Sequence, residues 1–253
     1  SKVSYMKELV KNIILCHVLK RFTPSPYGRS NCKPDIVLKY ILLVLQSGMA
    51  WRHLSYTKCP YDYRTIYSYF RKWTQQQIFP SAYKALHKLY MRKRRPKYHC
   101  IDSTYIKSIY GRDCVGRNPT DRGRKATKLS AIVDDRGIPT AMFFFTANTS
   151  DYKTVDQTCE RILLPKHRTP LYADKGYDSK AVRQKLQSHN YIDRVAKRGV
   201  RTHRLVNRRR GIVERFFSWL DKYRRLILRY DALIACYEAW TWLACCRIIG
   251  AVV

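Results

Sequence analysis

Between Pro34 and Leu54 the sequence PDIVLKYILLVLQSGMAWRHL places apolar residues at helical spacing and breaks at Ser47-Gly48, which predicts a helix closed by a turn. YDYRTIYSYFRKW follows, with Tyr63, Ile66, Tyr67 and Phe70 on one face and Arg64, Arg71 and Lys72 mostly off it. Two helices so joined form either a helix-turn-helix or an ordinary helical hairpin. The run MRKRRPK at 91–97, interrupted by Pro96, reads as a basic linker, and beyond it the period shortens to two.

YHCIDSTYI predicts a strand, and KLSAIVDD and IPTAMFFFT predict two more around an Asp135–Gly137 hairpin turn. TSDYKTVDQTCERILL then reads as a helix capped by Thr149, Ser150 or Asp151, and TPLYAD as a fourth strand. A helix starting near Asp178 or Ser179, a possible fifth strand in YIDRVA, a basic stretch to Arg210 and two C-terminal helices complete the order. Strand, strand, strand, helix, strand, helix, strand, helix is the order of an RNase H-like fold. The expected class is therefore α/β, a mixed five-stranded sheet with flanking helices, preceded by a small all-α, helix-turn-helix-like domain. The expected boundaries are 1–90 for the helical domain, 91–98 for the linker and 99–253 for the α/β domain with its C-terminal helices. The last helix, with Trp240, Trp242, Leu243, Ile248 and Ile249, is apolar around its circumference; packing on the α/β core is expected, with a dimer contact as the alternative.

Charge sharpens this picture. Lysine and arginine number 50 against 18 acids, a formal net charge of +32 with a pI near 10.1. Such an excess calls for a polyanion, and nucleic acid is the usual one; a ribosomal-type basic protein is the plainer alternative. No stretch is long and apolar enough to span a membrane or serve as a signal peptide, which weakens a membrane partner. The 9 cysteines include no C-x-x-C pair, so reduced thiols in an intracellular protein are expected, not disulfides or a zinc site. Cys16, His17, His99 and Cys100 read as packing residues.

In a chain so short of acids, Asp102 and Asp174 fall at the ends of the first and fourth strands, which this element order can set side by side. Glu214 lies on a later helix, with Val213, Phe217 and Leu220 as its apolar stripe and Arg210 one turn earlier. Converging carboxylates suit two divalent ions, one activating an attacking oxygen and one steadying a leaving oxygen. The plainer readings are caps at Asp174 and Asp102 and a surface pairing of Glu214 with Arg210 or Arg215. Asp178 reads as a helix cap.

IDST at 101, DRGRKATKLSAIVDDRGIP from 121, YADKGYDS at 172 and RRRGIVERFFSWLDKYRRLILRYD from 208 together resemble the motifs of DDE transposases of bacterial insertion sequences, nearest the insertion sequence five family. GRSNCKPDIVLKYILLVLQSGMAWRHL resembles that family's amino-terminal segment, so the likeness spans roughly 28–240. The resemblance implies that Asp102, Asp174 and Glu214 are the catalytic, metal-holding acids. Asn207 and Asp221 stand where relatives often carry tyrosine and lysine, with Lys222, Arg224 and Arg225 following, and Gly123-Arg124 replaces a common Gly-Gly.

The implied chemistry is hydrolysis at the transposon ends, freeing a 3′ hydroxyl, and attack of that hydroxyl on target DNA, with two Mg²⁺ ions, or Mn²⁺ in their place. The implied partners are double-stranded DNA, as terminal inverted repeats and target, and a second copy in a homodimer on DNA; no membrane is involved. Candidate DNA contacts are Arg64, Arg71 and Lys72; Arg122, Arg124, Lys125 and Lys128; and Arg201, Arg204, Arg208, Arg210 and Lys222. The alternatives are a domesticated DNA-binding descendant without cleavage and a structure-selective nuclease on the same fold. A bacterial host implies the cytoplasm, with the nucleoid; a eukaryotic or viral source implies the nucleus.

Overall fold

The computed structural model describes residues 2–21, 32–163, 168–200 and 204–252; the side chains of 2–7, 204–208 and 210 lie outside the description. The chain divides into two compact units, one of residues 1–93, 220–227 and 235–253, the other of 94–219 and 228–234.

The first unit is helical. It opens with α1 (Lys2–Lys20), α2 (Pro34–Ser47), α3 (Tyr63–Gln75) and α4 (Ile78–Lys93). Pro34 starts α2 where its missing N–H costs nothing, and Gly48 ends it at φ 70°, donating to the Val44 carbonyl at 2.9 Å. Asp62 caps α3 by accepting the Arg64 N–H at 2.8 Å. In place of the short turn expected between α2 and α3, residues 48–62 carry a 3₁₀ helix, Trp51–Tyr56, which delivers Trp51 against Tyr67 and Phe70. The buried face of α3 is accordingly Ile66, Phe70, Trp73 and Thr74, one turn further along than the pattern suggested.

His87 on α4 is 1 % exposed between the rings of Tyr83 and Tyr90, and its Nε2 has no hydrogen-bond partner among the described residues. Burial pushes its pKa down to about 4. Between the ordinary histidine value and pH 4 the unfolded chain therefore takes up a proton that the folded chain refuses. The His87 contribution to stability should fall by about 1.4 kcal/mol per pH unit as the pH drops through that window and change no further below it. His87→Leu should flatten this acid limb in urea titrations at pH 7 and pH 4.5; parallel losses in both proteins would refute the assignment.

The second unit holds one sheet. Its strands are β1 (His99–Lys107), β2 (Gly116–Arg117), β3 (Lys125–Asp134), β4 (Pro139–Thr146), β5 (Thr169–Ala173) and β6 (Tyr191–Val195), and its helices are α5 (Asp151–Glu160), α6 (Lys180–Ser188) and α7 (Arg204–Asp221), the last of which leaves the unit after Trp219. The strands run β4-β3-β1-β5-β6, antiparallel from β4 to β1 and parallel from β1 to β6. That is the RNase H-like sheet expected, with β2 added beside the start of β3; two residues are too few to leave a periodic signal. Ile101, Ile132, Val155, Leu171, Ala173, Tyr177, Val182 and Leu186 form the core between this sheet and the α5–α6 side.

The β3–β4 turn begins at Asp134, whose carboxylate accepts the N–H groups of Arg136 and Ile138 at 2.9 and 2.8 Å. Gly137 there has φ 88° and lies so close to Trp219 that a Cβ would come within 3.3 Å of the ring. Asp135 is bonded to Arg94, so this arginine of the basic run at 91–97 is engaged within the protein and not turned to solvent as a linker residue.

The end of the chain corrects the sequence reading. α8 (Arg224–Ile227) and α9 (Ile234–Gly250, from residue 235 onward) belong to the helical unit, not to the α/β domain as expected. Trp240 stacks on Phe70 with centroids 4.1 Å apart, Trp242 meets Tyr83 at 5.0 Å, and the Tyr237 hydroxyl donates to the Leu226 carbonyl at 2.6 Å. A helix apolar all round needs neighbours on every side, and a small helical bundle supplies them. No helix among the described residues is long and apolar enough to cross a membrane.

Candidate active site

The parallel pairing of β1 with β5 sets His99 opposite Leu171 and Cys100 opposite Tyr172. Continued two residues on each chain, that register would bring Asp102 level with Asp174; Asp174 follows the last residue of β5, whereas Asp102, expected at the end of its strand, is the fourth residue of β1, which runs on to Lys107. Adjacent strands lie about 4.8 Å apart, so the two side chains leave the backbone as neighbours. Alternation fixes the face. Ile101, Leu171 and Ala173 point into the core, so Cys100, Asp102, Tyr172 and Asp174 share the other side of the sheet.

Each carboxylate is oriented by the backbone that follows it. Asp102 Oδ1 accepts the Ser103 N–H at 2.8 Å, and Asp174 Oδ1 accepts the Lys175 N–H at 2.6 Å, capping the 3₁₀ turn Lys175–Tyr177. The capping role foreseen as the plainer reading is present at Asp174 alone; Asp102, with Ser103 and Thr104, lies within β1 and pairs with β3. Beneath them the buried Tyr177 hydroxyl lies 3.1 Å from Ser103 Oγ; burial, and then the Asp102 and Asp151 carboxylates, push its pKa well up, so it stays a neutral phenol.

The loop leaving Asp174 is pinned by an ion network. Arg183 reaches Asp178 at 2.7 Å and Asp193 at 2.5 Å, while the Arg198 N–H donates to Asp178 at 2.7 Å. The Arg198 amide and then Arg183 hold the Asp178 carboxyl below its ordinary value. Asp178 was expected to cap α6, but Ser179 does so, accepting the Val182 N–H at 3.2 Å, because Asp178 is turned to Arg183.

On the aspartates' side of the sheet, α7 is fastened by Arg209. Its guanidinium lies 5.1 Å from the ring centroids of both Tyr98 and Tyr172 and bonds the Tyr172 hydroxyl, and its carbonyl accepts the Cys100 thiol at 3.2 Å. The sequence reading missed this clamp, hidden inside a run of arginines. Tyr98 and Tyr172 precede Asp102 and Asp174 by even numbers of residues, which was the available signal that they share the aspartates' face.

Farther along, Ile212 and Trp219 lie against Gly137, and Arg215 donates to the Arg136 carbonyl at 2.8 Å. The helix thus runs from Cys100 toward the β3–β4 turn, which stands beside the start of β1, where His99 faces Asp134. Val213, Phe216 and Leu220 are buried and Glu214 is exposed. The continued register would make Asp102 and Asp174 neighbours across β1 and β5, and Glu214 lies exposed on α7. Among the described residues no three His, Cys, Asp or Glu side chains form a group that could hold a metal ion. The aspartate pair offers hard oxygen donors of the kind Mg²⁺ and Mn²⁺ take together with water; the third carboxylate is not gathered.

Residues 95–249, more than half of the chain, match the family model described as the transposase DDE domain. The chain belongs to the DDE transposases. A Burkholderia cepacia protein assigned as the transposase for insertion sequence element IS402 is 32% identical to this transposase over 148 residues, 55% of this chain and 70% of that protein. Among solved structures, the Mos1 strand transfer complex is similar at a TM-score of 0.34 and 12% identity over 87% of this chain and 70% of that one. A pre-cleavage Mos1 transpososome is similar at 0.31 and 13%, over 91% and 82%. These are distant likenesses, and the fold description rests on the strand order instead. Family membership makes the protein an insertion-sequence transposase, a metal-dependent enzyme of DNA cleavage and strand transfer.

The transposase presents its expected DNA-contact residues unevenly. Arg64, lying over the Tyr63 ring at 5.2 Å, and Lys72 are exposed, and Arg71 is 3.4 Å from the Tyr67 hydroxyl. Arg122, Arg124 and Lys125 are exposed around the turn into β3, Arg124 lying 3.6 Å from Asp121, and Lys222 is exposed as well. Lys128 is a correction. It is 1 % exposed, its ammonium bonded to the Thr149 carbonyl at 2.7 Å and Asp151 at 2.8 Å, so it ties β3 to α5 and cannot reach a phosphate. Arg201 lies outside the described residues. Arg204, Arg208 and Arg210 fall on α7, with their side chains outside the description.

Proposed function

We propose that this transposase cuts and joins DNA at Asp102 and Asp174, with Glu214 as the third acid, in an active site that takes two Mg²⁺ or Mn²⁺ ions. The observation that supports the reading is the parallel pairing of His99 with Leu171 and Cys100 with Tyr172, which, continued two residues, would bring Asp102 level with Asp174. When bound, divalent ions would supply Lewis-acid activation of the attacking oxygen and neutralise charge at the leaving oxygen. The side chains' own part is to fix where that chemistry occurs, since both carboxylates are oriented by the next backbone N–H.

Glu214 must come nearer to contribute. α7 carries it, and the Arg209 clamp is the contact that must shift or pivot when the DNA end arrives. Arg204, Arg208 and Arg210 on the same helix, with Arg201 before it, would neutralise phosphates there, so DNA binding and the approach of Glu214 are one event. Arg122, Arg124 and Lys125 would hold flanking phosphates. Arg64, Arg71 and Lys72 on α3 would contact the terminal inverted repeats, and Lys222 the adjoining backbone. Since two ends must be joined, a homodimer on DNA is the working assembly, and a bacterial host would place it in the cytoplasm with the nucleoid. The helical unit, 1–93 with 220–227 and 235–253, and the α/β unit, 94–219 with 228–234, would divide this labour.

The test is an assay of the purified full chain with Mg²⁺ and a duplex carrying its terminal repeat. Release of 3′ hydroxyl ends and their transfer to a plasmid is the expected result. Cleavage without transfer would favour a nuclease, and specific binding without cleavage a domesticated DNA-binding protein.

A further inference from the structure

Beyond Lys107 the chain leaves β1 and exposes an aromatic pair. Tyr110 is 67% exposed and Tyr230 41% exposed, with ring centroids 6.1 Å apart. Large exposed rings cost solvation unless something covers them, and these two are not loose decorations. The segments that carry them are laced together: the Arg229 N–H donates to the Lys107 carbonyl, the Ile109 N–H to the Arg229 carbonyl and the Arg112 N–H to the Ala232 carbonyl, each at 2.9 Å. The fully buried Arg229 side chain adds bonds to Asp113, Thr127 and Ala232. The rings therefore stand on a rigid base.

The surroundings are cationic. Lys107, Arg112, Arg117 and Lys125 are exposed, while the nearby acids are engaged: Asp113 with Arg229 at 2.5 Å and Asp121 with Arg124 at 3.6 Å. Aromatic faces set among cations suit a nucleic-acid strand, whose bases stack and whose phosphates pair, better than they suit an apolar protein partner.

We propose that Tyr110, backed by Tyr230, stacks an unpaired nucleobase of the DNA end. A base does not fit between the rings, because two stacking spacings need roughly 7 Å. The outer face of Tyr110 is the platform. The inference rests on the DNA end lying at Asp102 and Asp174. From Asp102 to Lys107 the strand rises about 17 Å, so the platform would meet a base some five or more nucleotides from the reacting phosphate.

The experiment is fluorescence anisotropy on the full chain without metal, comparing a terminal-repeat duplex bearing a single-stranded overhang with the same duplex blunt. Tyr110→Ala should weaken overhang binding about tenfold and leave blunt binding within about twofold, while Tyr110→Phe should bind as the parent does. Equal binding of overhang DNA by Tyr110→Ala and parent would overturn the proposal, as would an equal loss on both DNAs. A change of oligomeric state in Tyr110→Ala, read by light scattering, would assign the pair to a protein contact and overturn it too. Asp174→Asn separates this from the active-site reading: it should keep the overhang preference while losing cleavage, and a cleaving Asp174→Asn would sink the active-site placement alone.

Discussion

Asp174→Asn should abolish end cleavage and strand transfer together, a loss of about a thousandfold or more, equivalent to ~4 kcal/mol of transition-state stabilisation. Asparagine keeps the shape of the side chain and an oxygen to accept the Lys175 N–H, so the turn Lys175–Tyr177 should persist and only the charge is removed. Asp102→Asn should behave alike, since it faces Asp174 in the continued register and is oriented by the Ser103 N–H in the same manner. Glu214→Gln should also silence both steps, although that side chain stands apart in the structure without DNA. Gel-shift affinity for terminal-repeat DNA should stay within about threefold for all of them, because phosphate contacts by arginine and lysine dominate affinity. Undiminished cleavage by either aspartate variant would place the chemistry elsewhere.

Arg229→Met should lower the stability of the α/β unit by several kcal/mol, since each acceptor left unpaired in the interior costs about 1–3 kcal/mol. The Arg229 side chain is 0% exposed and gives hydrogen bonds to the carbonyls of Asp231, Asp113 and Ala232, to Thr127 Oγ1 at 2.8 Å and to Asp113 Oδ1 at 2.5 Å. Methionine fills much of the space and satisfies none of these acceptors. Arg229→Lys should rescue little, since a single ammonium cannot reproduce the planar fork. Asp113→Ala should also be costly, about 3–5 kcal/mol, because it leaves the fully buried Arg229 guanidinium without this carboxylate and the Ile234 N–H without its acceptor. Urea denaturation of the full chain at neutral pH reads these differences. An Arg229→Met protein as stable as the parent would show that residues 228–234 are not held by this contact.

The alternation in β1, β3, β4 and β5 and the breaks at Gly48 and Gly137 were legible because each rests on a local rule: side-chain period, a left-handed cap, a hairpin turn. Asp102, expected at the end of the first strand, is instead the fourth residue of β1, which runs on to Lys107. What escaped was settled by distant partners. α9 looked like cover for the sheet, but an all-apolar helix says only that it is surrounded, not by what; Phe70 and Trp51 decide it. Lys128 looked like one more cation near a basic run, and only Asp151, far along the chain, reveals it as an internal tie. The position of Glu214 depends on how α7 lies across the sheet, which Arg209, Tyr98, Tyr172 and Gly137 fix together and no periodicity states.

Manganese anomalous diffraction from crystals of the full chain with its terminal-repeat DNA tests the central claim most directly. The expected result is a metal peak within about 2.1–2.3 Å of a carboxylate oxygen of both Asp102 and Asp174, with α7 shifted so that Glu214 approaches the site. A peak held by one aspartate alone, or by neither, would contradict the assignment of this pair as the metal-holding centre.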